Sequence, residues 1–190
     1  SKLDSVPSLA LGTSPVTLIE MASAYATIAS LGEHREPVVV QRIADRHGAP
    51  VSLIGWSLGG LYAREMAKEF PQLARCVITL GAPFAGHPRA TNAWRFYEMV
   101  SGQNVHDADL IAQLRSSPPV PSTSIYSRTD GVVAWQCSLN NESPLAENIE
   151  VHASHIGMGM NPLAMFAIAD RLRQDPAQWQ RFDVQGARRW

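Results

Sequence analysis

Apolar positions in this chain follow two alternating patterns: short unbroken runs bounded by Gly or Pro, and longer stretches where they recur every three to four residues. Val51 to Gly55 is a buried strand by this reading, followed by a tight turn and a helix from Leu58 to Phe70. Cys76 to Leu80, Thr123 to Ser127 and Asn148 to His152 are three further short strands. Helical periodicity covers Asn92 to Ser101, Ala108 to Arg115 and Pro162 to Arg173, the last behind Asn161 as its cap. Strands alternating with helical crossovers predict an α/β fold with a mostly parallel sheet.

The residues before Val51 carry a different pattern. Ser1 to Pro15 is rich in Ser, Pro and Gly and reads as irregular. Thr17 and Glu20 form a capping box ahead of a helix whose apolar positions run from Leu18 to Ala29. Pro37 to Ala44 reads as a strand and Asp45 to Gly48 as a hairpin turn, so that this strand pairs antiparallel with Val51 to Gly55. On that expectation Val39→Pro abolishes cooperative unfolding.

Composition narrows the partners. The 190 residues are 45% hydrophobic and 17% charged, with a formal net charge of -1. Nothing in this balance offers a basic face for nucleic acid or anionic lipid, so a small neutral molecule is the expected partner. No apolar run approaches the roughly 18 residues of a membrane span, which leads to the expectation of a soluble protein, with the cytoplasm as its compartment. Cys76 and Cys137 have neither zinc spacing nor a disulfide framework and read as free thiols.

Chemistry is concentrated after the first apolar strand. Gly55-Trp-Ser-Leu-Gly59 between a strand and a helix is the context of a nucleophile elbow, a sharp turn that exposes a serine hydroxyl, here Ser57. Such a hydroxyl needs a neutral imidazole to take its proton and a carboxylate to orient that imidazole. Asp130 and His155 each follow a predicted strand at the carboxyl edge of a parallel sheet, the edge where such sheets build their sites. Asp130 could equally be a turn residue before Gly131, and His155 a loop histidine. His152 and His155 would lie on opposite faces of an extended strand, so no metal site is expected. His34, His47, His87 and His106 sit in polar or turn-like contexts. The backbone N–H of Leu58, at a helix start, is the expected oxyanion donor. Trp56 and the stretch Trp94, Phe96, Tyr97, Met99 and Val100 offer an apolar surface for substrate, although an ordinary core helix would show the same pattern.

Two family resemblances lie on these motifs. Pro7-Ser-Leu-Ala-Leu-Gly-Thr-Ser-Pro-Val-Thr, Glu20-Met-Ala-Ser-Ala-Tyr-Ala-Thr-Ile-Ala and Arg42-Ile-Ala-Asp-Arg-His-Gly resemble part of the transpeptidase domain of bifunctional penicillin-binding proteins. That family's catalytic signatures have no counterpart here, so residues 1–48 are expected to act as scaffold. Ile54-Gly-Trp-Ser-Leu-Gly-Gly, Ile78-Thr-Leu-Gly-Ala-Pro-Phe, Ile125-Tyr-Ser-Arg-Thr-Asp-Gly-Val-Val and Asn148-Ile-Glu-Val-His-Ala-Ser-His resemble the C-terminal half of an α/β-hydrolase of the lipase and esterase type. The order Ser57, Asp130, His155 is the order of that family's triad.

The resemblance implies a partial α/β-hydrolase over residues 49–190, with a lid-like region at 85–121, acting on carboxylic esters or lipids without a cofactor. It also implies a second oxyanion donor from an early strand, and His47-Gly48 stands at the wrong end of the Val51 strand to supply it. The alternative is a catalytically inactive chimeric remnant serving as a structural or interaction module. A penicillin-recognising fragment is a third reading, against which the missing signatures count. An unpaired edge on the Val51 strand would favour a homodimer.

Overall fold

The computed structural model describes residues 39–85, 108–141 and 143–183. Four strands, β1 (Val51–Trp56), β2 (Ala74–Leu80), β3 (Ser122–Tyr126) and β4 (Ala146–Glu150), form one sheet in the order β1-β2-β3-β4. All three pairings are parallel, with Trp56 opposite Leu80, Thr79 opposite Ser124 and Tyr126 opposite Glu150. Each strand therefore points the same way, and the four carboxyl ends share one edge of the sheet. The expected strands lie where the apolar runs placed them, displaced by one or two residues at their ends.

The helices are α1 (Val39–His47), α2 (Leu58–Glu69), α3 (Ala108–Arg115) and α4 (Pro162–Arg173). Asn161 caps α4 by accepting from the N–H groups of Leu163 and Ala164 at 3.0 and 3.1 Å, with Pro162 at the first helical position. The sheet is covered on both faces. Ile78, Leu80, Ile125 and Ile149 pack with Met158, Ala164 and Ala167, while Val77 on the opposite face of β2 packs with Ala63, Ala67 and Val120. This alternation follows from the two-residue period of a strand and explains why β2 carries apolar residues on both faces.

One expected element has a different structure. Residues 39–47 form α1 rather than the antiparallel strand expected over Pro37 to Ala44, and no hairpin joins them to β1. Gly48, at φ 65°, ends the helix, and the N–H of Ala49 reaches back to the Ala44 carbonyl at 3.3 Å. That is a left-handed helix terminus, which uses the same polar-then-glycine sequence as a hairpin turn. Val39 occupies the first helical position, where proline is tolerated, so the effect expected of Val39→Pro loses its basis. The helices expected over Leu18 to Ala29 and Asn92 to Ser101 lie outside the described residues.

Polar side chains fasten the connections. Asn140 and Asn148 bond reciprocally: the Asn140 N–H donates to Asn148 Oδ1 at 2.8 Å, and Asn148 Nδ2 donates to the Asn140 carbonyl at 3.0 Å. Arg64 of α2, fully buried, donates to Asn140 Oδ1 at 2.5 Å and to the Ser116 carbonyl at 3.0 Å, and its guanidinium lies 3.7 Å above the Phe84 ring. Burial lowers the pKa of this guanidinium to about 10, an effect that Glu65 opposes. Lys68, one turn on, donates to the Gln113 carbonyl at 2.6 Å. The two cations thus bind carbonyls at the carboxyl end of α3, where the helix dipole favours positive charge. Both cysteines are buried free thiols, and burial raises the Cys137 pKa against the opposing field of Arg115. No helix among the described residues is long and apolar enough to cross a membrane.

Glu147 at the start of β4 is a buried acid with three partners. It accepts from Thr123 Oγ1 at 2.6 Å, Arg171 at 3.0 Å and the Phe182 N–H at 2.6 Å, joining β3, α4 and the segment after it. Removing one member of such a buried pair leaves the other charge without its partner. Glu147→Ala is expected to destabilise the fold by about 3 kcal/mol in chemical denaturation; a loss within about 0.5 kcal/mol, the range of neutral surface changes, would show that Asp170 and the Gln180 carbonyl suffice to hold Arg171.

Candidate functional site

The site is built where the parallel ladder runs out. The Ser57 N–H donates to the Leu80 carbonyl at 2.8 Å, the Gly81 N–H to Ile125 at 2.9 Å and the Val151 N–H to Tyr126 at 2.9 Å. The chain leaves the sheet just beyond each of these bonds. Ser57 does so at φ 54° and ψ −128°, the one non-glycine residue at positive φ among the described residues. A conformation of that kind costs about 1–3 kcal/mol and persists only where the surroundings impose it. They do so here through close packing: a Cβ on Gly55 would stand 2.3 Å from the Gly59 carbonyl oxygen, and one on Gly60 would stand 2.6 Å from Ala82 Cβ. Strand and helix therefore meet without side chains between them, and the serine is forced to the apex.

The Ser57 side chain makes no capping bond to α2. Leu58 is the first residue of that helix, where backbone N–H groups have no intrahelical acceptor. The dipole of α2 adds partial positive charge at the same place.

Asp130 lies in the connection after β3, in a turn closed by its own N–H on the Ser127 carbonyl at 3.2 Å. Its two carboxylate oxygens have separate tasks. Oδ1 accepts from the N–H groups of Val132 and Val133 at 2.8 and 2.9 Å, and Oδ2 accepts from His155 Nδ1 at 2.6 Å. Both side chains are almost wholly buried, at 2% and 6% exposure. A carboxylate can only accept, so Nδ1 carries a proton, and in the neutral ring that tautomer leaves the lone pair on Nε2.

Gly81 makes this pairing possible. At φ 54° it passes beneath the two side chains so closely that a Cβ there would stand 3.0 Å from Asp130 Oδ2 and 3.2 Å from His155 Nδ1. Trp56 closes the other side. Its ring centroid lies 5.1 Å from that of His155, and its Nε1 donates to the His155 carbonyl at 3.0 Å.

Of the residues singled out from the sequence, Asp130 and His155 are in direct contact, and Ser57, Leu58 and Trp56 stand at the same edge of the sheet. Ser57 is tied to this group through its backbone and through Trp56. The described hydrogen bonds include none from its hydroxyl to His155. Trp94, Phe96 and Tyr97 lie outside the described residues. His152 is exposed, and its carbonyl accepts from Asn161 Nδ2 at 3.1 Å. Among the described residues no three His, Cys, Asp or Glu side chains gather as a metal site would require. A cavity of about 480 Å³ between α4 and residues 180–183 shares no residue with the Asp130–His155 pair.

Sequence reasoning passed over three residues here. Gly81 carries a signal in hindsight, a glycine directly after an apolar strand. Ser127 and Thr129, which reach the His155 segment, carry none beyond being hydroxyls near Asp130.

Comparison with known proteins places the fold. The model of the alpha/beta hydrolase family matches residues 8–189. Lipase B of Aspergillus fumigatus superposes with a TM-score of 0.58 at 18% identity, covering 86% of this chain and 45% of the lipase. An alpha-beta serine hydrolase homologue from Coxiella burnetii superposes with a TM-score of 0.44 at 17% identity, covering 71% of this chain and 54% of that one. Penicillin-binding protein 2D of Bacillus subtilis (strain 168) is 50% identical over 46 residues, which is 24% of this chain and 7% of that protein. The chain thus spans about half the length of these hydrolase structures and a small part of the penicillin-binding protein. With the family model covering nearly all of its length, the chain belongs to the alpha/beta hydrolase family.

Proposed function

We propose that the chain is a serine hydrolase of carboxylic esters, in which Ser57 attacks the carbonyl carbon, His155 takes and returns the proton, and Asp130 orients the imidazole. The observation that carries this reading is the 2.6 Å contact between buried Asp130 and His155 beside a serine held at positive φ. In the first step Ser57 Oγ bonds to the carbonyl carbon as His155 Nε2 accepts its proton, and the Leu58 N–H stabilises the oxyanion. The protonated imidazole then gives its proton to the departing alcohol, and water, activated by the same nitrogen, releases the acid. Exposed Ile156 and Met160 on the short helix that follows His155, and Val132 two residues after Asp130, support an ester with an apolar acyl or alkyl portion. A scaffold role for residues 1–48 beside a hydrolase half at 49–190 is part of this proposal; the hydrolase family model, which begins at residue 8, runs across that division.

The second reading, an inactive module, draws on one observation: no described hydrogen bond joins the Ser57 hydroxyl to the imidazole. Catalytic hydrogen bonds of this kind are often long before substrate binds, so geometry alone does not decide. Hydrolysis of p-nitrophenyl butyrate does. The wild-type chain is expected to turn over, Ser57→Ala to fall to the background rate, and Asp130→Asn to lose roughly 10⁴ in kcat through the wrong imidazole tautomer. A cooperatively folded wild type no faster than Ser57→Ala would establish the inactive reading.

Gly81 supplies a second test. Gly81→Ala places a methyl group against both Asp130 and His155 on backbone at positive φ. It is expected to lower kcat roughly a hundredfold by separating the pair. Unchanged kcat in Gly81→Ala would mean that the contact plays no part in the reaction.

A further inference from the structure

The backbone ladder between β3 and β4 ends when the Val151 N–H reaches the Tyr126 carbonyl, because the next residues of the β3 chain turn back on themselves. Ser127 to Asp130 is that turn, and it carries the acid away from the strand direction. Among the described residues, no further backbone hydrogen bond registers the chain between Val151 and His155 against the β3 side. Two hydroxyl groups take the place of that neighbour. Ser127 Oγ, on a buried residue, accepts from the Ala153 N–H at 3.1 Å and from the Thr129 N–H at 3.2 Å. Thr129 Oγ1 donates to the Ala153 carbonyl at 3.1 Å and lies 2.9 Å from Ser127 Oγ.

Proton counting fixes the direction of this relay. Thr129 has one hydroxyl proton and commits it to the Ala153 carbonyl, so Ser127 must donate to Thr129 Oγ1. Both polar groups of Ala153, two residues before His155, are thereby bound to the turn that holds Asp130. The far side of the segment is bound as well, through Trp56 Nε1 and the His155 carbonyl at 3.0 Å.

We propose that Ser127 and Thr129 are positioning residues: their hydroxyls extend the β3–β4 ladder as a side-chain brace that registers the His155 segment against Asp130. The inference rests on the reading of Asp130 and His155 as the acid and base of the hydrolase. The brace acts on orientation and not on the reacting atoms. Its loss lets the imidazole swing on a longer tether, and a shift of that kind slows a step that depends on alignment.

Thr129 is the place to test it, since the residue is exposed and Thr129→Val keeps shape while removing the hydroxyl. Wild type, Thr129→Val, Thr129→Ser and Ser57→Ala are compared by melting temperature, by kcat and KM for p-nitrophenyl butyrate, and by the downfield proton NMR signal of His155 Nδ1–H. Thr129→Val is expected to lose roughly tenfold in kcat at unchanged KM and melting temperature, with the downfield signal broadened. Thr129→Ser, which restores the hydroxyl, is expected to recover both. A Thr129→Val enzyme with wild-type kcat and an intact signal overturns the brace while leaving the Ser57 reading in place. A wild type as inactive as Ser57→Ala overturns that reading and the catalytic use of the brace with it.

Discussion

The contact between Asp130 and His155 depends on a single constraint, that four parallel strands end at one edge and the chain turns away differently after each. Parallel pairing puts all carboxyl ends together, so side chains far apart in sequence converge without any long-range design of their own. Each exit is then shaped locally. Gly55 and Gly60 let α2 start directly on the end of β1, Gly81 leaves the space above β2, and the turn after β3 rotates a carboxylate into that space. An imidazole arriving from the end of β4 completes the group, buried from water where a charged hydrogen bond is worth more than on the surface.

The two oxygens of Asp130 show how such a group is kept fixed. One is occupied by backbone N–H groups of its own loop, which leaves the other a single direction in which to bind the ring. On the far side, the indole of Trp56 holds the carbonyl of His155, so the residue preceding the serine also fixes the segment that carries the imidazole. The residue expected to touch substrate thus has a structural task as well, and its half-exposed ring leaves it a face for the first.

How much of this was legible follows from how local each signal is. Cys76 to Leu80 is a mostly apolar run ending at Gly81, so it announces a buried strand. Asn161 followed by Pro162 announces the start of α4. Val39 and Val40 misled because β-branched residues favour strands only weakly, and Gly48 terminates a helix as readily as it turns a hairpin. Ser57 was readable because its turn needs neighbours of a particular size. That Asp130 and His155 lie at one edge of the sheet was readable from their places after predicted strands. Gly81, Ser127 and Thr129 act between segments that only the fold brings together, and no spacing within the chain encodes that.

The most direct measurement is to treat the folded protein with a fluorophosphonate, digest it and locate the added mass. The account predicts a single adduct on the peptide carrying Ser57, formed at a rate that falls when Asp130 is replaced by Asn. An unmodified protein, or an adduct on any other serine, would contradict it.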